Sequence, residues 1–265
     1  MDKIEVSKDI SYVAALNLKL DVYQDPTSDP KGAIIDIHGG GWFRGDKSKD
    51  ADIARQFAAA GYLVLVPNYR LAPKDLYPAA VDDIESVLNW LEASDYEFSH
   101  QKVGVFGSSA GGNLAAEMAI RTHLPAVSWS GVFDIEDWLK AHTEVVPAMD
   151  TTQDFNQASA KIDQGGANDA FYKWFILNYT TQDPQKIKDA SLIRRVTSST
   201  APMLLINALN ELIPVSGVLK MQAALLKYQV PVWTQFVLGS QHAKGYMAQA
   251  LAPTLAFFDA FVAQD

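Results

Sequence analysis

The chain contains no cysteine. That excludes disulfides, thiolate metal sites, iron–sulfur clusters and a cysteine nucleophile. Serine, histidine, carboxylates, lysine and tyrosine are left for any chemistry. Positive charge is also scarce: 22 basic against 31 acidic residues in 265, a net charge of −9. An acidic surface repels phosphate backbones, so nucleic acid is not an expected partner. Long apolar runs are missing as well. The longest, such as residues 58–67, fall short of the ~20 residues a spanning helix needs. The first ten residues carry Asp2, Lys3, Glu5, Lys8 and Asp9 and no apolar export segment. No membrane association is expected, and the cytoplasm is the expected location. No Asp, Glu or His cluster has metal-ligand spacing, so neither metal nor cofactor is expected. What is present, 48% hydrophobic residues, suits one globular domain over residues 1–265. Self-association into a homo-oligomer stays open.

The order of hydrophobic patterns gives the fold class. Period-two alternation in Asn17-Leu18-Lys19-Leu20-Asp21-Val22-Tyr23 predicts half-buried antiparallel strands at a sheet edge within residues 10–24. Residues 33–37 (Ala-Ile-Ile-Asp-Ile) are nearly continuously apolar, as in strands buried on both faces. Further strands are predicted over 62–66, 103–106, 126–129, 203–206 and 232–238. Helical patterns over 50–60, 79–92, 113–121, 218–228 and 246–262 separate them. Such alternation predicts an α/β protein with a mostly parallel sheet of about eight strands and helices on both faces. Between Gly131 and Ala201 the rhythm breaks. That stretch holds Trp138, Phe155, Phe171, Tyr172, Trp174, Phe175 and Tyr179 and is too long for a structureless loop. Residues 132–200 are read as a helical insertion after the sixth strand, either a cap over a site or extra helices on the flank of the sheet.

Two motifs carry chemistry. Gly107-Ser108-Ser109-Ala110-Gly111-Gly112 follows a predicted strand and precedes a predicted helix, the context in which G-x-S-x-G becomes a nucleophile elbow. Gly107 and Gly111 leave room for the backbone to approach itself, and Ser109 projects at a helix N-terminus, where free N–H groups favour negative charge. His38-Gly39-Gly40-Gly41-Trp42 follows the buried strand 33–37. Its glycines permit unusual backbone angles, so N–H groups can point into a cavity and stabilise an oxyanion. Gly40, Gly41 and Ala110 are the candidate donors. His38 is read as a brace for this loop. Trp42, Ser108 and Phe133 are the candidate substrate contacts, with packing beneath the loop as the other role open to Trp42.

With these motifs the chain resembles the α/β-hydrolase superfamily, and within it the hormone-sensitive-lipase-like esterases. Asn68-Tyr69-Arg70-Leu71-Ala72-Pro73 is similar to their Y-R-L-A-P signature, and Tyr77-Pro78-Ala79-Ala80-Val81-Asp82-Asp83 to F/Y-P-A-A-x-x-D. Gly45-Asp46-Lys47 resembles the bacterial acetyl- and feruloyl-esterase-like branch. Ser108 stands where the lipase-like group usually has Asp and the other branch often His. The resemblance implies an α/β-hydrolase fold and carboxylic ester hydrolysis.

In this fold the catalytic order is Ser, then acid, then His. Of His38, His100, His123, His142 and His242, only His242 lies beyond the later strands, in a loop after 232–238. The acid belongs just past the strand 203–206, where the chain reads Asn207-Ala208-Leu209-Asn210-Glu211-Leu212-Ile213-Pro214. Counting from the strand places Glu211 at the acid position, and counting back from Pro214 places Asn210 there. Glu211 is the only carboxylate in the loop and is favoured. A serine carboxylesterase acting on short acyl esters is the expected function, with small-molecule esters as partners. Deacetylation or feruloyl release from carbohydrates, cleavage of a small amide, and a catalytically silent binding protein are the competing readings.

Overall fold

In the computed structural model, which describes residues 4–152 and 165–264, eight strands form one sheet. They are β1 (Glu5–Val13), β2 (Leu18–Gln24), β3 (Ala33–Ile37), β4 (Leu63–Pro67), β5 (Val103–Ser108), β6 (Ala126–Trp129), β7 (Met203–Ala208) and β8 (Val232–Val237). Their spatial order is β1-β2-β4-β3-β5-β6-β7-β8. The first two pairings are antiparallel and the rest parallel. The N-terminal segment forms the antiparallel part of the sheet, and the continuous apolar runs form the buried parallel centre. The alternating residues 18–23 fall in β2, which lies between β1 and β4 with residues 20–23 all buried, so it is neither the edge strand nor half-buried as expected. Every residue of β3 to β7 is buried, whereas β8, at the other edge, is half exposed.

Eight helices flank the sheet among the described residues: α1 (Ala51–Ala59), α2 (Ala79–Glu92), α3 (Ala110–Arg121), α4 (Glu136–Ala141), α5 (Asp169–Thr180), α6 (Pro184–Ala190), α7 (Val215–Lys227) and α8 (Met247–Phe261). Two apolar cores result. One holds α1 and α8 against Ile34, Val64, Phe106 and Val127. The larger one gathers side chains of α2 to α7 against Ile35, Leu65 and Val105. Helices therefore cover both faces, as successive right-handed crossovers require. No described helix is long and apolar enough to cross a membrane.

Several boundaries differ from the sequence expectation, among them the start of β1 at Glu5 instead of 10. β5 continues to Ser108 and α3 begins at Ala110, so the expected turn over 107–112 contracts to Ser109 alone. β7 reaches Ala208, two residues past 206. α7 begins at Val215 instead of 218, because Pro214, at φ −61°, pre-sets the chain for helix entry. The stretch between β6 and β7 contains α4, α5 and α6 and no strand among its described residues. Phe155 and the rest of 153–164 lie outside the described residues.

Candidate active site

Ser109 occupies the C-terminal edge of the sheet at φ 56°, ψ −119°, a conformation unfavourable for an L-residue. The elbow is tight enough to forbid side chains around it. A Cβ on Gly107 would lie 2.0 Å from the Gly111 carbonyl oxygen, and one on Gly111 would lie 2.0 Å from that of Ile37. The Ser109 N–H donates to Trp129 O at 2.8 Å, which ties the elbow to the end of β6. Ala110 opens α3, so its N–H is one of the helix's free N-terminal donors. Asn113, further along the same turn, donates its amide to Val132 O at 2.7 Å.

The glycine loop lies directly over this elbow. A Cβ on Gly39 would stand 3.2 Å from Ser109 Cβ and 2.9 Å from Ser108 O. Gly40, Gly41 and Trp42 follow with φ of 120°, 58° and 60°, and the Gly40 carbonyl accepts from Phe43 and Arg44 N–H, both at 3.2 Å. The N–H groups of Gly40 and Gly41 meet no acceptor among the described residues. His38 is buried and stacks on Tyr69 with ring centroids 4.3 Å apart. Its Nδ1 lies 2.7 Å from Gly39 O. A carbonyl can only accept, so Nδ1 carries the proton. Burial lowers the His38 pKa and keeps the ring neutral, as suits a brace. Tyr69 completes it by donating to His38 O at 2.9 Å.

His242 and Glu211 meet. His242 Nδ1 is hydrogen bonded to Glu211 Oε2, and both residues are buried. The other carboxylate oxygen accepts from Ala208 N–H at 2.9 Å and from Ser130 Oγ at 2.8 Å. With a carboxylate on Nδ1, the Nε2 nitrogen is left to take a proton. Asn210 does not meet the histidine: it is exposed and its side chain faces Gly166. The Ala243 N–H donates to Ser130 Oγ at 3.0 Å. Consecutive residues at the end of β6, Trp129 and Ser130, thus hold the serine elbow and the histidine loop side by side. The remaining histidines lie elsewhere. His100 and His123 are exposed, and His142 stacks on Trp138.

Two of the expected substrate contacts are differently placed. Trp42 is fully buried, stacked on Tyr179 of α5 at 4.4 Å and tilted against Phe175. Of its two possible roles it takes packing, because α5 covers the ring. Phe133 is 2% exposed and turned onto Gly131, so it is core as well. Ser108 is buried with its hydroxyl against Gly39. The remaining motifs build the scaffold. Arg70 is hydrogen bonded through Nε to both Asp83 oxygens, at 2.9 and 3.0 Å, joining the Y-R-L-A-P and Y-P-A-A segments. Asp46 accepts from Ser48 N–H, and Lys47 donates to Asp21 at 2.6 Å, so Gly45-Asp46-Lys47 anchors the glycine loop to β2. Among the described residues no group of three His, Asp or Glu side chains could hold a metal ion.

Sequence reasoning missed Ser130, which is hydrogen bonded to Glu211, Tyr246, which is hydrogen bonded to Ser130, and the aromatic face of α5. A small polar residue directly after a buried strand, at the edge where this sheet type binds ligands, is the signal that could have pointed to Ser130.

The curated relatives include the carboxylesterase NlhH of Mycobacterium tuberculosis, 33% identical over 42% of this chain and 36% of that one. Esterase LipC of the same organism is 25% identical over 71% of this chain and 47% of that one. Bovine (Bos taurus) arylacetamide deacetylase is 30% identical over 50% of this chain and 33% of its own. The chain spans about a third to a half of the length of these relatives. Among solved structures, an esterase from the archaeon Pyrobaculum calidifontis superimposes with a TM-score of 0.77 at 22% identity, covering 100% of this chain and 85% of that one. A truncated carbohydrate esterase from gut microbiota does so with a TM-score of 0.75 at 18% identity, covering 99% and 98%. These likenesses establish the α/β-hydrolase fold. The BD-FAE family profile matches residues 20–225, which include the glycine loop, the serine elbow and Glu211, and the chain belongs to the BD-FAE family.

Proposed function

We propose that the protein is a serine carboxylesterase that hydrolyses short-chain acyl esters through an acyl-enzyme. Ser109 is the nucleophile, His242 the general base and Glu211 the acid that orients it. Ser109 Oγ attacks the ester carbonyl while His242 Nε2 takes its proton. The carbonyl oxygen becomes an oxyanion between the N–H groups of Gly40, Gly41 and Ala110, donors worth on the order of 3 kcal/mol each in such reactions. His242 then protonates the leaving alcohol, and water repeats the sequence on the acyl-enzyme. One observation carries the reading: the buried Glu211–His242 pair is tethered through Ser130 to the strand end that holds Ser109. Within segment 132–200, α5 acts as the cap. Its support is the packing of Phe171 and Trp174 on Phe43, and of Phe175 and Tyr179 on Trp42, which seats α5 on the oxyanion loop. The test is hydrolysis of p-nitrophenyl acetate and butyrate by wild type and Ser109→Ala. The variant is expected to lose activity on both esters. Equal rates would overturn the reading.

A second substrate class has one specific support. The gut carbohydrate esterase is matched over nearly the whole length of both chains. Acetylated or hydroxycinnamoylated sugars are therefore compared with simple aryl esters and an aryl amide. A kcat/KM higher on a sugar ester than on p-nitrophenyl acetate selects the carbohydrate reading, and the reverse order selects the general esterase.

A further inference from the structure

Ser130 is completely buried one residue past β6 and holds φ at 52°, a conformation that costs a non-glycine residue on the order of 1 kcal/mol or more. No step of the proposed chemistry touches it. Four groups converge on it. Its N–H donates to Ile206 O at 2.8 Å. Its Oγ lies 2.8 Å from Glu211 Oε1 and 2.7 Å from Tyr246 Oη, and accepts the Ala243 N–H at 3.0 Å.

The protons can be assigned by elimination. A carboxylate oxygen facing a hydroxyl only accepts, so the single Ser130 proton goes to Glu211 in a charge-assisted bond. Tyr246 then supplies the proton in its contact with Ser130, its single proton being shared in a three-centre bond between Ser130 Oγ and Ile206 O, 3.0 Å away. Burial raises the Tyr246 pKa well above the ordinary value, so its hydroxyl remains a donor across the working pH range. Tyr246 therefore donates to Ser130, and Ser130 donates to Glu211. The same oxygen receives the N–H of the residue that follows His242.

We propose that Ser130 is a positioning residue that aligns acid and base through one hydroxyl. It fixes the Glu211 carboxylate from the side opposite His242, and it sets the height of the His242 loop by holding Ala243. Without it, Glu211 can turn about its side-chain bonds and the histidine loop loses its stop. The serine elbow, tied to Trp129, keeps its place. This inference rests on the reading in which Glu211 and His242 activate Ser109.

The test compares Ser130→Ala and Ser130→Gly with wild type and Ser109→Ala. Steady-state kinetics on p-nitrophenyl acetate are combined with the downfield proton resonance of His242 Nδ1–H. Glycine accepts φ of 52° without strain, so it carries the test if alanine fails to fold, and it separates hydroxyl from backbone. Both variants are expected to lose about 10- to 100-fold in kcat, the size of a hydrogen bond to a charged group. KM is expected to hold within about twofold, since the ester itself does not touch Ser130, and the resonance is expected to shift or broaden in both. A glycine variant with wild-type kcat and an unmoved resonance would overturn the inference and leave Ser130 a backbone feature. Retained activity in Ser109→Ala would instead remove the underlying reading. An inactive Ser109→Ala beside fully active Ser130 variants would remove the Ser130 inference alone.

Discussion

The two oxygens of Glu211 play separate roles. Oε2 holds His242, and Oε1 is occupied by Ala208 N–H and the Ser130 hydroxyl. Its neighbour Asn210, one residue earlier, has its side chain toward Gly166 and only its backbone N–H bound to the strand region, at Gly239 O. The two residues therefore separate cleanly in a mutational test. Glu211→Gln preserves shape but offers Nδ1 a neutral partner, and kcat is expected to fall on the order of 10³- to 10⁴-fold. Asn210→Ala is expected to keep kcat within about threefold. Steady-state kinetics on one aryl ester measure both, and the reverse pattern would move the acid to position 210. Counting along the sequence does not separate these two residues, because it runs on spacing. What separates them is the direction of a side chain after an irregular loop, and that depends on where β7 stops. The strand continues to Ala208, which turns Glu211 inward.

Between elements, a buried ion cluster joins the histidine loop to the start of α1. Lys244, two residues past His242, is 2% exposed. Its ammonium donates to Lys49 O at 2.5 Å, to Asp50 at 3.2 Å and also to Asp52. Lys244→Met keeps the length of the chain and strands the buried Asp50 carboxylate, so a loss of about 3–5 kcal/mol is expected. Urea unfolding of wild type and variant measures it, and a change below about 1 kcal/mol would show the cluster to be dispensable. Nothing in the sequence pattern announces this link, since its partners lie 192 to 195 residues apart along the chain. The α5 contact is equally hidden. A helix rich in aromatics reads the same whether it packs on a flank or on the oxyanion loop, and the stacking of Trp42 on Tyr179 is a property of tertiary placement. The strands and helices themselves are legible, because continuous apolar runs and 3.6-residue periodicity each dictate one kind of burial. Their ends are less so. Ser109, alone between β5 and α3, marks a turn set by backbone collision at Gly107 and Gly111, which periodicity does not encode.

For the molecule as a whole, Asp36 makes stability depend on pH. It lies inside β3, fully buried, and neither carboxyl oxygen has a hydrogen-bond partner among the described residues. Burial first, and then the nearby Asp50, raises its pKa well above the ordinary carboxylate value, against the opposing pull of Lys244. Below about pH 4 both native and unfolded chains hold this proton, and Asp36 contributes nothing to the pH dependence. As pH rises past that value the unfolded chain releases the proton while the native chain keeps it. Stability then falls, by up to about 1.4 kcal/mol per pH unit, until the native pKa is passed. Asp36→Asn removes the effect. Its melting temperature relative to wild type is expected to increase as pH rises from about 4 and to level off once the native pKa is passed, and a difference constant with pH would contradict the assignment.

Everything proposed for the reaction depends on Ser109 being an activated nucleophile served by His242 and Glu211. Incubation with a fluorophosphonate, followed by peptide mass mapping, is the decisive measurement. One rapid adduct per chain is expected, on Ser109, and its loss in His242→Ala. No adduct on Ser109 under conditions that label an active serine hydrolase, or unchanged labelling without His242, would contradict that assignment.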